Sequence, residues 1–286
     1  MQGHLLQRLF TGIPTLFLTL FFALPLGALV MVSFWRTENY HLIREWSLMN
    51  YHTLLVESAY STFLIRSLVM AFAVSIFLVA ISWPIAYFIV RSGGRYKLLL
   101  SLLFAVPFLS GEVLRLISLQ GLLGPVGLVN GLMVELGGAP LRFIMYTNVA
   151  TFIGLVYIYL PIVVTVIYLS IGNFDFRLVQ VASIFGASPT RAFYEIVWPL
   201  NLSGTIIGFL LSFIPCLSAS LAPRFLGGPD GTLYGMSMSQ QFGESGTWAL
   251  GAAMGVALFL LSLLLLIGCC LFVDLRRTGF TGMGRA

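Results

Sequence analysis

The chain has 286 residues, 59% of them apolar and only 9% charged, where a soluble domain carries about 25% charge. That deficit excludes an ordinary water-soluble fold, and the length holds about five to seven membrane spans of roughly 20 residues but no further pair of soluble domains. The formal charge of +5 is spread without a basic cluster, which argues against a nucleic-acid partner and fits the Lys/Arg bias that records membrane orientation.

Six apolar stretches are long enough to cross a bilayer: about 13–34, 62–90, 97–120, 143–171, 201–223 and 247–273. The first is too long for the roughly 7–15-residue core of a secretory signal and no small-residue cleavage site follows it, so it reads as a retained span. With the N-terminus inside, nine of the fifteen Lys and Arg fall on the inner side, which predicts that both termini are cytoplasmic. Five of the six spans carry proline (Pro14 and Pro25, Pro84, Pro107, Pro161, Pro215). Proline removes a helix hydrogen bond and clashes with the preceding turn, so kinks or breaks are expected there. Such a bundle suits a cavity or moving parts, although any single proline also fits an ordinary membrane helix. The last span lacks proline, and its Gly251 and Gly255 permit close helix approach.

Polar groups at membrane depth are candidate pathway residues. Glu112 and Arg115, three apart in the third span near Ser110, either neutralise each other on one helix face or attract a cation at the outer mouth. Tyr157 and Tyr159 in the fourth span, and Ser212, Ser218 and Ser220 around Pro215, either line a pathway or bridge helices. Arg66 is expected to snorkel to the outer interface.

The inner loop between the fourth and fifth spans, residues 173–199, is the most informative segment. Asn173 or Asp175 can cap a helix running to about Phe185, and Gly186 can take the left-handed geometry that ends it. Ser188 then caps a second helix with Pro189 at its first position, and Pro199 is expected to stop that helix near Trp198. The corner between them is built of small residues (Ala182, Gly186, Ala187, Ser188), which either enter a groove on another protein or pack on the chain's own bundle.

This loop resembles the cytoplasmic signature of the membrane subunits of binding-protein-dependent ABC importers: Glu-Ala-Ala, three residues, Gly, then about nine residues and Ile-x-x-Pro. Ala182, Gly186, Ile196 and Pro199 match, and Leu200 and Gly204 fit the usual continuation. From about residue 50 to the last span, further pieces resemble the spermidine/putrescine branch: Asn50-Tyr51, Val106-Pro107-Phe108, Gly154-Leu155-Val156-Tyr157 with Leu160-Pro161, and Gly227-Gly228-Pro229. Gln180 stands at the family's Glu, Val181 at its first Ala, and Ser203 at a usual proline.

The resemblance implies an all-α polytopic fold of six transmembrane helices of the type I ABC importer kind. Residues 1–286 form one permease domain in it, with its core at about 60–275 and its coupling loop at 173–199. It implies that Gln180, Val181, Ala182, Ser183, Gly186, Ala187, Ser188, Pro189 and Arg191 couple to a separate ATPase. Two ATPase subunits carrying ATP and Mg, a second homologous and non-identical permease, an outer solute-binding protein and a bacterial inner-membrane location follow from it. The implied substrate is a polyamine or a related organic cation, opine or amino-acid-like solute. This chain has no Walker A loop, since its single lysine, Lys97, follows Tyr96 rather than Gly. No cofactor, metal site or catalytic residue is expected: His4, His41 and His52 are isolated, and Cys216, Cys269 and Cys270 lack a C-x-x-C spacing. A stand-alone secondary transporter or channel is the alternative, against which stand the lack of a visible inverted repeat and the scarcity of buried acids.

Overall fold

A computed structural model describes residues 12, 14–92, 94–139 and 144–282, and most of these are helical. In chain order they form α1 (Pro14–Ser33), a hairpin of β1 (Arg36–Glu38) and β2 (His41–Ile43), α2 (Met49–Val56) and α3 (Ser58–Ser92). Then come α4 (Lys97–Ala105), α5 (Glu112–Leu123), α6 (Leu128–Glu135), α7 (Asn148–Gly172), α8 (Arg177–Ile184) and α9 (Pro189–Leu200). The chain finishes with α10 (Leu202–Leu217), α11 (Tyr234–Phe242) and α12 (Trp248–Gly282). Among the described residues, five helical stretches are long and apolar enough to span a membrane, and six if α9 and α10, bent by 65° at Asn201, count as one.

Five of the six expected spans coincide with α1, α3, α7, α10 and α12. The stretch 97–120 does not form one helix. After α4 it tightens into a 3-10 turn at Val106–Leu109, and Gly111 is extended (φ −60°, ψ 152°) before α5 begins. Pro107, which has no N–H to donate, sits in that turn, and Ser110 satisfies the Pro107 carbonyl with both its amide and its hydroxyl. The long apolar helical stretch here is instead Glu112–Glu135, itself turned between α5 and α6.

Pro84, Pro161 and Pro215 lie inside α3, α7 and α10 without breaking them, as ordinary membrane-helix prolines do. Pro25 and Pro199 each follow a five-residue π-helical stretch, Thr19–Ala23 and Phe193–Val197. A π turn shifts the hydrogen-bond register by one residue, which absorbs the missing proline donor. Pro199 therefore does not stop the second hairpin helix at Trp198; α9 continues to Leu200.

Two compact units divide the chain: residues to Thr62 with Ser237–Leu263, and Phe63–Met236 with the chain from Leu264 onward. In the first, β1 and β2 pair Arg36 with Ile43 and Glu38 with His41, leaving Asn39 and Tyr40 as a two-residue turn with φ of 48° and 65°. Positive φ at both central residues is the turn geometry that follows strand twist. Asn50 Nδ2 donates to the carbonyls of Ser33 (2.8 Å) and Trp35 (2.7 Å), and the Ser33 and Tyr51 hydroxyls share a 2.7 Å bond, so α2 clasps the end of α1. Gly251 and Gly255 perform as expected: a Cβ at Gly251 would press on Phe242 and Gln241, and Gly255 faces Leu29 and Met238.

In the second unit, α3 buries a stripe comprising Ala71, Val74, Ser75, Leu78, Ser82, Trp83, Ala86 and Ile89, at the spacing of one helix face. The long helices α7 and α10 pack along each other, with Gly208 against Val163 and Ile167. A Cβ at Gly204 would strike the Ser170 side chain, and one at Gly154 would strike Leu226. Glycine at these points lets backbones approach where lipid supplies no hydrophobic drive.

Candidate functional site

The α8–α9 hairpin folds much as its sequence directs. Asp175 Oδ1 accepts the Arg177 N–H at 3.0 Å at the start of α8. At its end, Gly186 (φ 83°) donates to Ser183 O and Ala187 to Ala182 O, both at 3.0 Å, the paired bonds of a Schellman cap. The Ser188 hydroxyl accepts the Arg191 N–H at 3.3 Å with Pro189 at the first helical position. Arg191 Nε also reaches both carboxylate oxygens of Glu195 at 3.0 Å, one turn on.

Every residue expected to couple lies on this hairpin. Gln180, Val181, Ser183, Gly186, Ser188, Pro189 and Arg191 are exposed, while Ala182 and Ala187 are half-buried. The small residues are not what leads the corner. Ile184 and Phe185 do, at 82% and 85% exposed, flanked by the exposed Leu178 and Tyr194. Sequence reasoning missed them because helical periodicity does not say which face lacks a partner.

Beneath the corner lies an aromatic cluster that no motif announced. Trp83 stacks obliquely on Trp198 (centroids 4.9 Å) and meets Phe193 edge-on (5.6 Å), while Tyr87 meets Phe193 and Phe176 at 6.0 and 6.3 Å. Trp83 Nε1 donates to Thr205 Oγ1 at 3.0 Å. The bend between α9 and α10 is fixed by buried Asn201, whose Nδ2 donates to Val197 O (2.9 Å) and whose Oδ1 accepts from Ser170 Oγ (3.0 Å). The hairpin is thus tied to α3, α7 and α10 through ring contacts and the hydrogen bonds of Trp83 and Asn201.

A second polar locus lies within the helices. Arg115, buried on α5, donates from Nη1 to the Ile158 carbonyl of α7 at 3.4 Å. Tyr159 is in electrostatic reach of Glu112, Arg115 and Cys216, so α5, α7 and α10 bring these groups together. Tyr157 is exposed. Ser212 is wholly buried and donates back to Gly208 and Phe209, and exposed Ser218 donates back to Pro215. Ser220 is half-buried beyond the end of α10, and Arg66 is exposed on α3. No group of three or more His, Cys, Asp or Glu among the described residues is placed to hold a metal.

No family model matches the chain. It is 31% identical over 252 residues to the spermidine/putrescine transport system permease protein PotB of Escherichia coli, covering 87% of this chain and 91% of that one. Against PotB of Haemophilus influenzae it is 28% identical over 262 residues, covering 91% of each. Its fold is similar to a bacterial alginate ABC transporter solved in complex with an alginate pentasaccharide-bound periplasmic protein. The TM-score is 0.72 at 13% identity, over 94% of this chain and 93% of that one.

Proposed function

This chain belongs to the family of ABC-importer permease subunits that includes PotB, is a transmembrane subunit of the inner membrane, and, we propose, forms half of the translocation pathway for a polyamine or related organic cation. The observation that carries the coupling part is the α8–α9 corner: apolar tips held out in solvent on a hairpin whose aromatic rings pack against buried Trp83 of α3. In this reading the corner faces the cytoplasm, both termini lie on that side, and the tips insert into a separate ATPase. Two ATPase subunits bind and hydrolyse ATP with Mg, and this chain binds no cofactor of its own. Closure of the ATPases moves α8 and α9, and Asn201 and the rings hand that movement to α3, α7 and α10. The switch from inward-facing to outward-facing follows because the ATP-bound motor has differential affinity for the two states.

A second, non-identical permease completes the pathway and an outer binding protein delivers the solute; the periplasmic protein bound to the alginate transporter supports that kind of partner. Within this half, Glu112 and Tyr159 are the groups suited to an amine, with Arg115 held against the Ile158 carbonyl. Gln180, lacking the charge of a glutamate, contributes hydrogen bonds and no ion pair to the ATPase.

The test is co-isolation with an ABC ATPase subunit from membranes that express the chain. Burying an Ile and a Phe stabilises an interface by about 1.5–3 kcal/mol each, so Ile184→Asp with Phe185→Asp is expected to abolish both co-isolation and uptake while the chain still inserts. Retention of the ATPase by that double variant, or uptake by this chain alone, would overturn the reading.

A further inference from the structure

We infer that the cavity behind the α8–α9 hairpin binds a phosphate group, supplied in the membrane by the headgroup of an anionic phospholipid. The cavity has a volume of about 570 Å³ and is lined by Tyr87 and Arg91 at the end of α3, Lys97 at the start of α4, Gln180 on α8, and Phe193 and Val197 on α9. Among the described residues, two cations line it and no carboxylate does. The acids nearest in sequence on the hairpin are engaged elsewhere: Asp175 accepts from the Arg177 amide, and Glu195 is paired with Arg191.

Both cations are held in place by aromatic rings. Arg91 Nη1 donates to the Tyr87 hydroxyl at 2.9 Å and its guanidinium carbon lies 5.9 Å from the Tyr87 ring centre. Lys97 Nζ lies 5.6 Å from the centre of the Tyr168 ring. One Tyr87 bond uses a single one of the five guanidinium donors, and the rest suit the paired acceptors of a phosphate, with lysine as the accompanying point charge. Gln180 adds a neutral amide that both donates and accepts. Phe193 and Val197 give the same cavity an apolar wall, which a free anion does not need and a lipid's glycerol and upper acyl carbons do. The position agrees: Arg91 and Lys97 sit where the apolar runs of α3 and α4 end and begin, the level at which basic pockets between spans meet headgroups.

A headgroup seated there would fill the space between the hairpin and α3 and fix how far α8 and α9 stand from the bundle. That consequence for coupling rests on the importer reading; the binding itself does not.

The experiment uses the assembled transporter in nanodiscs of phosphatidylcholine with phosphatidylglycerol titrated in, reading bound phosphatidylglycerol by native mass spectrometry. Inorganic phosphate is added in a parallel arm. Wild type is expected to retain phosphatidylglycerol, and Arg91→Gln with Lys97→Gln to retain it about tenfold to thirtyfold less tightly. Arg91→Lys with Lys97→Arg should bind it still. Gln180→Glu, close in size, places a carboxylate against the phosphate and should weaken binding without removing any packing. Displacement of the lipid by inorganic phosphate assigns the site to the phosphate group itself, and resistance to it assigns the site to the whole headgroup. Equal retention by wild type, the double Gln variant and Gln180→Glu overturns the proposal. Failure of wild type to retain phosphatidylglycerol while the ATPase still co-isolates would sink this site alone; retention of the lipid by wild-type chain that captures no ATPase would sink the importer reading alone.

Discussion

Gly204 and Asn201 show how much of the packing between α7, α9 and α10 hangs on single atoms. Gly204 has no room for a side chain because Ser170 occupies the space a Cβ would take. Gly204→Ala is expected to cost about 1–3 kcal/mol by overpacking, seen as a lower thermal unfolding midpoint in detergent, and Ser170→Gly in the same chain should restore part of it. Asn201 is buried, with both ends of its amide engaged. Asn201→Ala removes those bonds and leaves the Ser170 hydroxyl and the Val197 carbonyl to find other partners, a loss of about 1–3 kcal/mol. Transport should fall further than stability does, because the α9–α10 bend no longer has a fixed angle; equal uptake per folded molecule in wild type and variant would refute that role.

Among the elements, the hairpin was the most legible and the third span the least. Gly186, Ser188 and Pro189 name a local geometry that needs no partner, so the corner could be read residue by residue. Gly186→Val puts a β-branched residue at φ 83°, which costs roughly 1–2 kcal/mol, and should lower transport-coupled ATP hydrolysis while leaving membrane insertion intact. The third span was misjudged because apolar length alone does not report a broken hydrogen-bond ladder. The 3-10 turn at Val106–Leu109 and the extended Gly111 divide what hydropathy joins. Pro84 and Pro161 failed as breakers, since a helix braced by neighbours tolerates a lost bond.

For the whole molecule, the composition admits only a lipid-embedded bundle, and the sites follow from how its helices meet. Glu112, Arg115 and Tyr159 come from α5 and α7 and converge where Cys216 of α10 also lies. If that cluster receives a cation, Glu112→Lys reverses the attracting charge. Uptake of that cation should then show a raised KM, with the rise largest at low ionic strength, because steering between charges weakens as salt screens them. A KM unchanged in proteoliposomes at low salt would remove Glu112 from the pathway.

The amino-acid order determined the class, most span positions and the local form of the hairpin, since these depend on hydrophobic length, proline and glycine geometry and caps that act within a few residues. Tertiary structure alone decided which residues stand exposed and which groups share a site. Ile184 and Phe185 project, while Ser212 turns inward to its own helix. Trp83, Phe193 and Trp198 meet across more than 100 positions of sequence, and Arg91 and Lys97 share a cavity with Gln180. In a chain that is apolar on nearly every face, periodicity loses its power to separate core from surface, and only the packed arrangement restores it.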